Sequence, residues 1–381
     1  MSTNPGSPAP PYLDALEDVI NDVVAPAAVE IDRTAAFPRA AVDALGHAGL
    51  LGLVSAAEVG GQAQGPRAAA LVVERLAREC GSTAMVICMH FAGTAVIERH
   101  GPRDVREAIA AGRHLTTLAF SEQGSRSHFW APVSTATAAN GHVELDARKS
   151  WATAAGEANS YIWSSKPLST EGASTLWLVP ADAPGLRAPV PFDGLGLRGN
   201  ASSPITAEGV VVPQAAMLGP DGGGFDVMMG IVLPYFQLMN AAFSVGTMEA
   251  ATTKAIAHVA GAQLQHLGQT LADLPTIRAY LARMRIKTDM ARALLLDTIQ
   301  ALESGREDTM LRVLESKAAA GEASTEVTDL AMRVCGGAAF RKDVGVERHF
   351  RDARAATVMA PTTDVLYDFI GKAVCGLPLF G

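Results

Sequence analysis

The sequence predicts an α+β protein in three parts: an N-terminal helical domain, a central antiparallel β domain and a C-terminal four-helix bundle. Apolar residues recur at three- and four-residue steps from about residue 12 to 97 and again from 225 to 335. Between these regions, from 114 to 212, the pattern changes to short, partly alternating runs bounded by Gly, Pro, Asn and Asp. The chain is 49% apolar and 18% charged, a globular balance, and its alanine-rich, aromatic-poor make-up favours helices. The expected boundaries are a disordered tail over 1–11, helices over 12–113, strands over 114–219 and helices over 220–381.

In the first helical part, Leu13, Leu16, Ile20, Val23, Ala27 and Ile31 mark one amphipathic face. Pro38 opens a second helix and the glycines at 49 and 52 close it. Gly60-Gly61 breaks the chain, and Pro66 opens a third helix with Leu71, Val72, Leu76 and Ala77 on one side. A fourth apolar segment, 83–97, contains His90, which on an apolar face reads first as a core residue and second as a base.

Strands are expected at 114–120, 133–139, 142–147, 161–165, 175–179 and 205–212, with Asn140-Gly141 as a two-residue hairpin turn. Helical periodicity then covers 225–258, 271–302 and 309–335. Gly222-Gly223-Gly224 precedes the first of these without a following Lys-Ser/Thr, so it reads as a turn and not as a phosphate loop.

Composition excludes some functions. A net charge of −8 with no basic block argues against nucleic acid or an anionic membrane surface as partner. Cys80, Cys88, Cys335 and Cys375 show no metal-ligand spacing and sit in apolar sequence, as expected of buried thiols in a reducing compartment. Residues 1–11 lack the apolar core of a signal peptide, and no uninterrupted apolar run reaches membrane-spanning length. Together these features predict a cytoplasmic protein.

The most informative stretch is 346–375. Glu347, Arg348, Arg351, Asp352 and Arg354 pack five charges into eight residues, either a solvated face or a buried, mutually satisfied network. Pro361 breaks the helix. Thr362, Thr363 and Asp364 then offer capping oxygens for a new helix bearing Val365, Leu366, Phe369, Ile370 and Val374. A charged knot beside a fresh helix N-terminus predicts a floor for an anionic ligand.

Val-Glu-Arg-x-x-Arg-Asp-Ala-Arg at 346–354, following Gly336-Gly337, resembles the C-terminal signature of the acyl-CoA dehydrogenase family of flavoproteins. The similarity extends from about residue 12 to 375. Phe120-Ser121-Glu122-Gln123-Gly124-Ser125-Arg126-Ser127 resembles the family's Thr-Glu-Pro-Gly-x-Gly-Ser loop, with Ser121 in place of the threonine and Ser127 matching the serine. Lys149-Ser150-Trp151-Ala152-Thr153-Ala154-Ala155 resembles Lys-x-Trp-Ile-Thr-Asn-Ala, in which indole and threonine border the isoalloxazine. Leu195 to Gly199 and Val210 to Pro213 match two closing β motifs.

The resemblance implies bound FAD, an acyl-CoA or acyl-carrier-protein thioester as substrate, oxidation of its CH–CH group, a homodimer or homotetramer, and an electron-transfer partner. It places Phe120, Ser121, Ser127, Trp151, Thr153, Gly336, Gly337, Thr362 and Asp364 at the cofactor. Three positions depart from the pattern. Where the family has Tyr-Glu-Gly-Thr with the glutamate as base, this chain has Met359-Ala360-Pro361-Thr362. The family's second position for the base falls at Phe236. The arginine that reaches the flavin pyrophosphate across a dimer falls at Leu264, and Arg333 is a candidate replacement.

With Ala360 at the usual position the base is unassigned, and His90, Asp364, Tyr367 and Asp368 are the remaining candidates. Three expectations follow: a dehydrogenase with a displaced base, a flavin oxidase or monooxygenase branch that needs no such base, or a non-catalytic CoA- or flavin-binding partner subunit.

Overall fold

A computed structural model describes residues 10–125 and 128–379. Most of the 1–11 tail, together with Arg126 and Ser127, lies outside the described residues.

The first helices are α1 (Pro11–Val19), α2 (Ala25–Thr34), α3 (Arg39–His47), α4 (Pro66–Glu79), α5 (Gly81–His100) and α6 (Arg103–Ala110). Prolines sit in the first turns of α1, α2 and α4, where a missing N–H costs nothing. α5 is apolar on almost every side and runs through the core. It and the run Gly224–Gly261 are long and apolar enough to cross a membrane, yet 89% and 78% of their apolar windows are buried inside the protein. They are core helices.

The middle domain holds β1 (Thr116–Ala119), β2 (Thr135–Ala139), β3 (His142–Ala152), β4 (Ser160–Ser165), β5 (Thr175–Pro180), β6 (Leu186–Arg187) and β7 (Ser203–Pro213). They form two sheets, β1-β4-β5 and β2-β3-β7-β6. Every pairing is antiparallel except β1 with β4, which run parallel. Both strands are buried at every residue, as expected of parallel strands covered on both faces. β3 runs five residues beyond the expected 147 and so carries Lys149 and Trp151 on a strand.

The C-terminal part contains α7 (Gly224–Val227), α8 (Leu233–Gly261), a short hairpin of β8 (Gln263–Leu264) and β9 (Gln269–Thr270), then α9 (Pro275–Ser304), α10 (Thr309–Cys335), α11 (Val346–Val358) and α12 (Thr363–Val374). Leu264 sits in the hairpin. α11 is the charge-dense stretch, and its buried side mixes Val346, Ala353 and Ala356 with Arg348, His349 and Asp352. Cys80, Cys88 and Cys335 are buried, but Cys375 is exposed because α12 ends there in a turn.

The dense charges of α11 form a largely buried network. Arg351 donates to Asp32 at 2.6 Å and to Glu347 at 2.7 Å. Arg348 donates to the Glu79 carbonyl, and Asp352 accepts the Leu197 N–H at 2.6 Å. These bonds tie α11 to α2, to α4 and to the 195–197 loop, and they leave Arg351 engaged on both sides. Arg354 lies over the Phe350 ring.

Candidate active site

A cavity of about 460 Å³ opens between the β domain and the bundle. One wall is built by Leu118, Phe120, Ser121, Ser150 and Trp151. The facing wall comes from Val232, Leu233 and Phe236 near the start of α8 and from Ala355, Val358, Met359 and Ala360 at the end of α11. Phe192, Gly196, Leu197, Asn200 and Ser202 form the rim, and Met89 of α5 and Phe129 complete the lining.

The first wall depends on a bulge. Between Lys149 and Ala152 the register of β3 against β7 shifts, and Trp151 adopts φ +55°. A positive φ at a bulky residue is uncommon, and bulges re-aim side chains where one must leave the sheet. The indole is 67% exposed at the cavity, and no ring of the described residues stacks on it. The Ser150 N–H donates to the Ser121 carbonyl at 2.9 Å, so the two recognised loops meet directly.

Below them lies a buried ion pair absent from the expected site. Lys149 Nζ donates to Glu122 Oε1 at 2.5 Å, to the Ser164 carbonyl at 2.6 Å and to the Ser164 hydroxyl at 2.9 Å. Glu122 also accepts from the Val133 and Ser134 N–H groups. Burial pushes the Glu122 carboxyl upward, but Lys149 and these donors outweigh it and hold it below the usual range. Burial pulls the Lys149 ammonium down to about 8 against the opposing pull of Glu122. A signal was available: Glu122 and Lys149 are charges of opposite sign, one in each of the two loop motifs.

An aromatic ladder flanks the same wall. Phe120 stacks on Phe129 at 6.3 Å, Phe129 meets Trp130 edge-on at 5.2 Å, and Trp130 reaches Phe369 of α12 at 5.6 Å. These rings join the β domain to the bundle.

Several expected residues lie away from the cavity. His90 is fully buried: its Nε2 is 3.0 Å from the Leu51 carbonyl and its Nδ1 accepts the Thr116 N–H at 3.2 Å. These partners assign the neutral Nε2–H tautomer, and burial lowers its pKa to about 4. With both ring nitrogens engaged, it fills the core role. Thr153 is buried two residues past the indole and outside the lining. Thr362 is the N-cap of α12 and accepts the Val365 N–H, while Asp364, Tyr367 and Asp368 are exposed on that helix.

Arg333 rests on Tyr280, 4.9 Å from the ring centroid and 3.0 Å from the hydroxyl. Gly336 and Gly337 follow at the end of α10, with open space where a Cβ would stand. Of the expected residues, the fold therefore gathers Phe120, Ser121 and Trp151 around one cavity with Ala360 and Phe236. Among the described residues, none that lines the cavity has an ionisable side chain.

Fold and cavity define a class: three-part proteins with a flat aromatic wall and an apolar wall facing each other between a β domain and a helical bundle. Within that class the chain belongs to the acyl-CoA dehydrogenase family. The family's N-terminal domain matches residues 12–112, its middle domain 117–210 and its C-terminal domain 222–375. The human mitochondrial short-chain specific acyl-CoA dehydrogenase is 28% identical, covering 93% of this chain and 86% of that one. Cyclohex-1-ene-1-carbonyl-CoA dehydrogenase of Geobacter metallireducens is also 28% identical, over 95% and 96%. Among solved structures, butyryl-CoA dehydrogenase from Megasphaera elsdenii shares the fold with a TM-score of 0.90 at 22% identity, covering 98% of this chain and 100% of that one.

Members of the family bind FAD. The cavity fits the ring end of that cofactor: an open indole face and the Ser121 side chain on the same wall.

Proposed function

We propose that this protein is an FAD-dependent oxidoreductase acting on the CH–CH group of an acyl thioester, carried by CoA or by a carrier protein, and that its proton acceptor is neither residue 360 nor residue 236. The observation carrying this reading is the pairing, in one cavity, of the Trp151–Ser121 wall with the apolar wall around Ala360.

Trp151 and Ser121 would hold the isoalloxazine, with Thr153 behind the indole and Ser127, Thr362, Asp364, Gly336 and Gly337 expected toward the rest of the nucleotide. When bound, the flavin supplies the two-electron acceptor. The chain's own part is to bind and orient. Trp151 offers a rigid face for stacking, and Ser121 offers a hydroxyl to a ring heteroatom. Val232, Leu233, Phe236, Ala355 and Val358 keep water from the acyl chain. Electrons then pass to a separate electron-transfer protein, and the working unit is a homodimer or homotetramer in the cytoplasm.

A second reading draws on the ionisable-free lining: a flavin oxidase or monooxygenase branch, whose chemistry needs no α-proton base. A positioned base contributes about 10² to 10⁴ in rate, so its absence would be readily visible. The test is to purify the protein, record its visible spectrum and titrate it anaerobically with a panel of acyl thioesters. Bleaching of a bound flavin supports the first reading. A flavin that stays oxidised under thioester but consumes oxygen with a reductant selects the second. Colourless protein that takes up no FAD would overturn both.

A further inference from the structure

The row of α8 that builds the apolar wall changes character one turn deeper. Leu233 and Phe236 line the cavity. Gln237 stands four residues beyond Leu233, Asn240 four beyond Phe236 and Ser244 four beyond Asn240, so these three continue the same helix row into the core. All three are fully buried. Both side-chain polar atoms of Gln237, the Asn240 Oδ1 and the Ser244 Oγ have no partner among the described residues. A buried amide or hydroxyl is normally hydrogen-bonded, because leaving water without a new partner is unfavourable. Three such groups on one row make a polar strip inside an apolar bundle.

The strip adjoins the cavity through one side chain. Asn240 Nδ2 lies 3.8 Å from Met359 Sδ, and Met359 lines the cavity. The Met359 backbone is pinned: Lys317 of α10, fully buried, donates from Nζ to the Met359 carbonyl at 3.0 Å and to the Pro361 carbonyl at 2.7 Å. Its side chain is unbranched and turns about three bonds, so it is a movable partition between cavity and strip. With 1.5 Å of rise per residue, Asn240 lies about 6 Å past Phe236 along the helix.

The free atoms select what suits the strip. Gln237 and Ser244 each donate and accept, and Asn240 Oδ1 accepts. A hydroxyl does both and so satisfies either kind. A carboxylate only accepts and would face Asn240 oxygen to oxygen, and a methyl group satisfies none of them.

We propose that Gln237, Asn240 and Ser244 are specificity residues, reached past the Met359 side chain, and that they bind a hydroxyl at the far end of the substrate's acyl chain. This rests on the acyl-thioester reading above and narrows its substrate class to ω-hydroxyacyl thioesters.

The probes are CoA thioesters of ω-hydroxy acids over a series of chain lengths. Each is compared with the methyl-ended and the ω-carboxy thioester of equal length, by anaerobic calorimetry on FAD-loaded protein. At the best length the hydroxyl-ended ligand should bind at least about tenfold more tightly than its methyl-ended counterpart, a difference of about 1.4 kcal/mol. A site built to hydrogen-bond a hydroxyl rejects the analogue lacking it, because its polar groups are then left unpaired. Asn240→Leu and Gln237→Leu should each lose that preference. A smaller ratio at every length overturns the proposal and leaves the acyl-thioester reading standing, the strip then being satisfied by internal water alone. Tighter binding of the carboxylate overturns it too, as does a preference kept in full by both variants. If neither variant folds, the wild-type ratios decide. Protein that binds none of the thioesters sinks the reading and the proposal together.

Discussion

Two lysines of this protein are fully buried, and they are held in different ways. Lys149, in the β domain, faces a carboxylate, a hydroxyl and a carbonyl, so its charge is neutralised within one strand-and-loop unit. Lys317, in the bundle, faces two carbonyls and an aromatic ring. Both sit behind walls of the same cavity. The first builds a wall that is electrically closed and rigid, which suits holding a flat ring in place. The second leaves its wall electrically open.

The strongest way to break this contrast is to make Lys149 resemble Lys317. Glu122→Gln removes the counter-charge and strands a buried ammonium, and should destabilise the fold by about 3–5 kcal/mol in chemical denaturation. Adding Lys149→Met to that variant should recover part of the loss. No recovery would mean that Glu122 acts mainly through its Val133 and Ser134 bonds.

The converse change gives Lys317 a carboxylate. Ala360→Glu puts a carboxylate at a position that already lines the cavity. Exchange of the thioester α-proton with deuterated water should rise by roughly 10²-fold, the lower end for a positioned base. An exchange rate equal to the wild type's would show that the Ala360 side chain is not aimed at the substrate.

The third test uses pH. Unfolded, Lys317 keeps its proton to about 10.5; folded, it releases it near 7. Between those values the unfolded chain binds more protons, so stability rises with pH, by up to about 1.4 kcal/mol per unit for one group. Below about 7 both states are protonated and the slope vanishes. The difference between wild type and Lys317→Gln should show this window. Parallel curves from pH 7 to 9 would mean that Lys317 stays charged throughout.

The smallest effect is expected at Trp151→Ala. The residue is exposed, so folding stability should change by less than about 0.5 kcal/mol. Loss of ring stacking should weaken FAD retention by about 0.5–1.5 kcal/mol, measured by dialysis against apoprotein. A large fall in melting temperature would instead give the indole a structural role.

Much of the fold was legible because periodicity reports burial. All six expected strands exist, and α5, α8, α9 and α10 lie where apolar spacing placed them. α11 was harder to read because its buried face carries Arg348 and Asp352, whose partners lie 269 and 155 residues away in sequence, and because its Arg351 pairs with Asp32 at a separation of 319. The parallel pairing of β1 with β4 was hidden for a similar reason, since a short apolar run does not state its direction. At the site, Ser121 and Trp151 could be read from their motifs. The support beneath them could not, because Glu122 meets Lys149, and Lys317 meets Met359, only after folding. His90 was legible from its apolar face, which reads first as core, and its two backbone partners give it that packing role.

The bulge at Trp151 has one more consequence. The chain has four tryptophans, and Trp163 and Trp177 are sealed from solvent while Trp151 stands open at the cavity mouth. Iodide should therefore quench Trp151 far more than that sealed pair, and a flat chromophore settling on its face should remove the accessible share of the emission. The molecule thus carries its own fluorescent gauge of site occupancy, readable without any label or turnover assay.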